Sequence, residues 1–180
     1  RSETSIDSGA GDDKIYIGSF AGFWDTDKGN RPGYRIDPLV SEAQFINSQG
    51  NLHGITKALK VDSGAGSDLV VVDDTGDSVA NTDGNLTSSE LTGLGIGTNF
   101  SIHYNENSNT EEINVNLGIS NDEFTVESTS ATTITRIEGR GGNDRINVKT
   151  NSGSTLLYGD SQTNTVTIGT QSVIVNEGND

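Results

Sequence analysis

Ile137 to Val148 reads IEGRGGNDRINV. One aliphatic residue leads into a short Gly- and Asx-rich loop, an Asp follows, and apolar residues then alternate. The same plan recurs four more times: IDSGAGDDKIYI from Ile6 to Ile17, VDSGAGSDLVVV from Val61 to Val72, VNLGISNDEFTV from Val115 to Val126, and LYGDSQTNTVTI from Leu157 to Ile168. VIVNEGND at the end resembles the opening of a sixth copy. The pairs Ile15/Ile17, Val70/Val72, Phe124/Val126, Ile146/Val148 and Val166/Ile168 alternate as short strands with one buried face. Glycine lets the loops turn through positive φ at low cost.

The copies at 115, 137 and 157 are spaced by 22 and 20 residues, which suits one turn of a stacked β architecture. Equivalent strands would then pair in parallel about 4.8 Å apart. The pattern predicts an all-β chain: a right-handed parallel β-helix, that is a β-solenoid or β-roll-like fold, of about eight coils in a single domain over 1–180. The copies at 6, 61 and 115 are separated by 55 and 54 residues, and each gap has room for two to three degenerate coils. Leu52–Leu59, Leu86–Leu91 and Ile96–Ile102 supply aliphatic positions for them. Residues 18–47 break the pattern and hold Trp24, Pro32 and Pro38. They read as one long loop excursion packed over a face.

Composition narrows the function. The 26 Asp and Glu outnumber the 11 Lys and Arg, for a net charge of −15, so a nucleic-acid partner is not expected. No run approaches the length of a membrane helix, so no membrane insertion is expected. There is no Cys, hence no disulfide framework and no thiolate metal site. The 23 Gly make poor material for a helical bundle. The chain opens on Arg1 and closes inside a motif, and it reads as one unit of a longer repeat array.

Written as G-G-x-G-x-D-x-U-x, the loops place Asp13, Asp68, Asp122, Asp144 and Asn164 at the sixth position. Calcium takes six to eight hard oxygen ligands, and tight Gly turns expose carbonyls beside such carboxylates. Asp122 and Asp144, one repeat apart, form the first candidate pair, with Asn121 and Asn143 beside them. Asp13 and Asp68 follow, without an obvious adjacent partner loop, and Asp12 is a further candidate. Asp73, Asp74 and Asp77 crowd three carboxylates into five residues, as a cation site or as a solvated turn. The competing reading of all these loops is metal-free turn chemistry, in which Asx side chains bond local backbone.

The loops GAGDD (9–13), GAGSD (64–68) and GGND (141–144) resemble hemolysin-type (RTX) calcium-binding repeats. Over residues 48–150 the succession NSQGNLHGITKALKVDSGAG, VVVDDTGD, LTSSELTGLG, INVNLGISNDEFTVEST and IEGRGGNDRINV is similar to the tandem units of giant cell-surface proteins from bacteria and algae. The resemblance implies a secreted fold rigidified by Ca2+, with a structural or adhesive role at the cell surface. The partners it implies are copies of the chain or neighbouring repeats end to end, and extracellular polysaccharide. Two departures stand out: Asn164 replaces Asp, and Arg140 occupies a Gly position.

Enzymatic readings find little support. His53 and His103 sit in no recognisable catalytic motif, and there is no G-x-S-x-G elbow or phosphate loop. The rival is a β-helix polysaccharide lyase or epimerase, or a noncatalytic calcium- or carbohydrate-binding module of such an enzyme. Asn85-Leu86-Thr87 and Asn99-Phe100-Ser101 match the glycosylation sequon.

Overall fold

The computed structural model describes residues 3–18, 49–107, 109–159 and 164–169, and the backbone of 174–177. Among them are fourteen strands and no helix: β1 (Thr4–Asp7), β2 (Lys14–Ile17), β3 (Leu59–Asp62), β4 (Leu69–Asp73), β5 (Gly84–Leu86), β6 (Glu90–Thr92), β7 (Ile102–His103), β8 (Glu112–Asn116), β9 (Glu123–Val126), β10 (Ile134–Glu138), β11 (Arg145–Val148), β12 (Thr155–Gly159), β13 (Thr165–Ile168) and β14 (Ile174–Glu177). They form an eight-stranded sheet in the order β1-β3-β7-β6-β5-β9-β11-β13 and a six-stranded sheet in the order β14-β12-β10-β8-β4-β2.

Alternation decides which side chains go inward. β2, β9 and β11 each bury their second and fourth residues: Ile15 and Ile17, Phe124 and Val126, Ile146 and Val148. Val70, Ile113, Ile137 and Leu157 contribute from the other strands to the same cluster. Among the described residues no fully buried side chain is larger than Tyr104 or Phe124, and the core there is built from narrow aliphatic stripes. The final pair departs from the pattern, with Val166 half-buried and Ile168 41% exposed.

The continuous parallel β-helix predicted from the repeats is not what forms. The six-stranded sheet is parallel throughout. The eight-stranded sheet is mixed, because β6 runs antiparallel to both β5 and β7. The cause is local. Only Thr87, Ser88 and Ser89 separate β5 from β6, and a link that short can reverse the chain but cannot return it to a parallel start. Thr87 N–H donates to Glu90 O at 2.8 Å and closes the hairpin, and Tyr104 N–H donates to Ser89 O at 2.9 Å. Leu86 and Leu91 are core positions, as the sequence indicates, but they face each other across this hairpin.

A second correction concerns spacing. Ile6 and Val61 stand 55 positions apart, yet no rung lies between their strands, because β1 pairs directly with β3 and β2 with β4. Gly18 and Gly50 lie against each other, and Asn51 N–H donates to Gly18 O at 3.2 Å, so the chain leaves and returns at one place. A Cβ on either glycine would collide with the backbone or side chain of Asp73. The excursion assigned to 18–47 lies outside the described residues beyond Gly18.

Candidate functional site

The loop carboxylates act first as hydrogen-bond acceptors for the neighbouring loop. Asp68 Oδ1 accepts from Asp13 N–H at 2.8 Å, and Glu111 Oε2 accepts from Asp68 N–H at 2.8 Å. Asp122 Oδ1 accepts from Asn81 N–H at 2.8 Å, Asp144 Oδ1 from Asp122 N–H at 2.9 Å, and Asn164 Oδ1 from Asp144 N–H at 2.9 Å. Asp68, Glu111, Asp122, Asp144 and Asn164 each stand immediately before a strand. From there the side chain reaches the amide of the preceding rung and extends the parallel ladder one bond past the strand end. An outer row repeats the device: Asp12 Oδ1 accepts from Ser67 N–H at 2.9 Å, and Asn121 Oδ1 from Asn143 N–H at 2.8 Å.

Asp122 and Asp144, one repeat apart in sequence, lie on neighbouring loops, and Asn121 and Asn143 beside them bridge the same loops. Asp13 and Asp68, read as lacking an adjacent partner, are neighbours too, because their loops stack although 55 positions separate them in sequence. The two pairs do not share one column. β2, β4 and β8 carry the first series in the six-stranded sheet, whereas β9, β11 and β13 carry the second in the eight-stranded one. Glu111 and Asn81 escaped sequence reading. Glu111 had one signal, its place immediately before an alternating stretch.

Close packing of the loops explains their glycines. Ala10 and Ala65 pair in parallel, and a Cβ on Gly64 or Gly66 would overlap the carbonyl of Gly9 or Gly11. Gly142 meets Ser120 O in the same way. Only a hydrogen fits between these turns.

Asp73, Asp74 and Asp77 do not form a solvated turn: they are 0%, 0% and 3% exposed. Asp73 Oδ2 accepts from Gly50 N–H and its Oδ1 from Thr75. Asp74 Oδ1 accepts from Leu52 N–H at 3.1 Å. Asp77 Oδ1 accepts from Val79 N–H, while its Oδ2 takes Asn81 Nδ2 and His53 Nε2, each at 2.9 Å. The knot thus clamps residues 50–53, where the chain re-enters, onto the end of β4. Burial pushes the Asp74 carboxyl up to about 8, helped by the charges of Asp77, Asp122 and Asp73 against the Leu52 amide. Burial opposes ionisation of Asp77 as well, but bonds from Asn81, Val79 and His53 outweigh it and hold that carboxyl below its ordinary value.

Calcium would need several of these oxygens turned toward one point. Among the described residues no three acidic or histidine side chains converge in that way. Both carboxylate oxygens of Asp122 are engaged by amides, those of Asn81 and Gly118. Asp13 Oδ2 and Asp68 Oδ2 are buried and accept no hydrogen bond. These two oxygens, on stacked loops, are the part of the donor set that fits a hard cation.

A separate cavity of about 380 Å³ opens beside the antiparallel strand β6, lined by Asp83, Glu90, Thr92, Asn99, Phe100 and Ser101 among others. Cross-strand pairing sets Glu90 beside His103. His103 Nε2 lies 3.0 Å from Ser101 Oγ, and its Nδ1 lies 3.1 Å from Glu106 Oε1. The order is that of nucleophile, base and acid. However, the carboxylates of Asp83 and Glu90 line the same space and would oppose an oxyanion there. The arrangement suits binding better than acyl transfer.

No helix among the described residues is long and apolar enough to cross a membrane. Comparison with protein-family models, curated proteins and solved structures finds no match.

Proposed function

We propose that this chain is a structural or adhesive repeat of an extracellular cell-surface protein or filament. The observation that carries the reading is the double series of side-chain-to-amide bridges, which spends its acidic residues on holding neighbouring turns together. Charge-assisted bonds of this kind contribute roughly 1.5–3 kcal/mol each. A chain with thin aliphatic stripes for a core has reason to invest in them. Among the described strands, β1 and β13 lie at the edges of one sheet and β2 and β14 at the edges of the other. Copies of the chain or neighbouring repeats would join there end to end.

Calcium, implied by the resemblance, enters this proposal at Asp13 and Asp68, whose free Oδ2 atoms favour it. Thermal unfolding in calcium and in chelator tests that part. The expected result is a calcium-dependent gain that Asp68→Asn removes; no gain in the parent chain contradicts it. Surface location is tested by antibody labelling of intact source cells. Labelling without permeabilisation is expected, and labelling only after permeabilisation would overturn the extracellular reading.

A further inference from the structure

We infer that the cavity beside β6 is a binding site for a neutral, hydroxyl-rich saccharide unit. The inference deepens the adhesive half of the proposed function and rests on it, since it names what the surface would adhere to. The cavity lies where the eight-stranded sheet departs from parallel order, between the β5–β6 hairpin and the segment leading into β7.

Its volume of about 380 Å³ lies within the range of small-ligand sites. Its chemistry is mixed in a particular way. Asp83 and Glu90 supply carboxylate acceptors, and Thr92, Asn99 and Ser101 supply groups that both donate and accept. Vicinal hydroxyls satisfy such a set, because each both donates and accepts. Phe100 adds an aromatic surface for the C–H face of a sugar ring. No Lys or Arg lines the space, so its two carboxylates would repel a uronate or a sulfated sugar, although His103 Nε2 stands 3.7 Å from Glu90 Oε1.

The wall is also preorganised. Two consecutive tight turns build it: Ile96 N–H donates to Gly93 O, and Phe100 N–H donates to Gly97 O, each at 2.9 Å. Gly93 and Gly95 both hold φ of 76°, Leu94 holds 50° and Asn99 holds 67°. Non-glycine residues seldom adopt this conformation, and such strain persists only where the surroundings fix it. Here they do: Gly93 is pressed onto the Asp83 carbonyl and Gly95 onto the His53 ring. A Cβ on Gly97 would stand 3.1 Å from the Phe100 ring, so that glycine sets the ring's position. The exposed Lys57 ammonium stands 5.9 Å from the ring centroid, at the outer edge of cation–π range. A wall fixed in advance loses little freedom on binding.

The test is calorimetric titration of the whole chain with neutral gluco-, manno- and galacto-oligosaccharides, with alginate-derived uronate oligomers and with methylammonium, alongside amide shift mapping. At least one neutral oligosaccharide should bind and perturb residues 83, 90, 92 and 98–101. Asp83→Asn, an exposed position, and Glu90→Gln should each weaken that binding by about tenfold. Circular dichroism confirms that each variant is folded. Absence of binding by every neutral sugar, preference for uronates, displacement by methylammonium, or shifts elsewhere would each overturn the inference. None of these outcomes touches the turn bridges, so the structural reading stands or falls separately.

Discussion

Asp144 reaches across 22 residues of sequence to accept the backbone N–H of Asp122 at 2.9 Å, and Asp122 does the same for Asn81. A carboxylate in this position takes the role a strand carbonyl plays one residue further on. The amides of Asp13, Asn81, Asp122 and Asp144 should therefore exchange as slowly as strand amides, although they lie in loops. Hydrogen exchange followed by NMR checks this, and Asp144→Ala should accelerate exchange at Asp122 most. Fast exchange at all four in the parent chain would remove the bridges from the account.

Two glycines of one motif should differ sharply in tolerance. Gly9 and Gly64 have nearly the same φ, 90° and 85°. A Cβ on Gly9 meets nothing within 4 Å, whereas one on Gly64 overlaps the Gly9 carbonyl. Gly9→Ala should cost about 1 kcal/mol from backbone strain alone. Gly64→Ala should cost several-fold more, read from denaturant midpoints. Equal costs would mean that the two loops do not stack this closely.

Acidification should stabilise the protein between about pH 8 and pH 4. Asp74 carries the argument, raised from an ordinary 3.8 to about 8. A carboxyl whose folded value is raised binds a proton more readily when folded, so its stabilisation is complete below the unfolded value and fades as pH climbs toward 8. Burial raises Asp122 too, giving the same sign. Asp77 is lowered and acts oppositely, but its contribution fades only in stronger acid. The melting temperature should thus rise from pH 8 to pH 5, and Asp74→Asn should flatten that rise. An unchanged slope in the variant would contradict the assignment.

The hairpin that breaks the parallel order has its own latch. Tyr104 is fully buried, and its hydroxyl donates to Thr87 O at 2.6 Å. Burial pushes the phenol well above its ordinary value, so the bond persists through the ordinary alkaline range. Tyr104→Phe preserves the ring and strands the carbonyl, which should cost roughly 1–3 kcal/mol by chemical denaturation. A neutral substitution would show that the β5–β6 link does not depend on it.

Much of the local structure was legible, because strand alternation and positive-φ glycines are written in adjacent residues. Ile15/Ile17 and Ile146/Val148 point inward as their spacing indicates. The global order was harder to read. A spacing of 55 positions has room for intermediate rungs and suggested them, whereas chain length does not reveal that Gly18 and Gly50 meet. The reversal at Thr87–Ser89 carries no Asn-Gly or Asp-Gly signature, so nothing local separated it from another turn. The acidic run at 73–77 looked solvated because its partners, Gly50, Leu52 and His53, lie more than twenty residues upstream. The carboxylates of the Gly-rich loops were found in sequence, but their work could not be, since amide capping and cation binding call for the same residues at the same spacing.

Thermal unfolding of Asp144→Ala, measured in calcium and again in chelator, tests most directly whether the turns are held by amide bridges. The account predicts the same fall in melting temperature in both conditions, because the lost partner is the Asp122 amide. A fall confined to the calcium-containing sample would contradict it and assign the carboxylate to an ion.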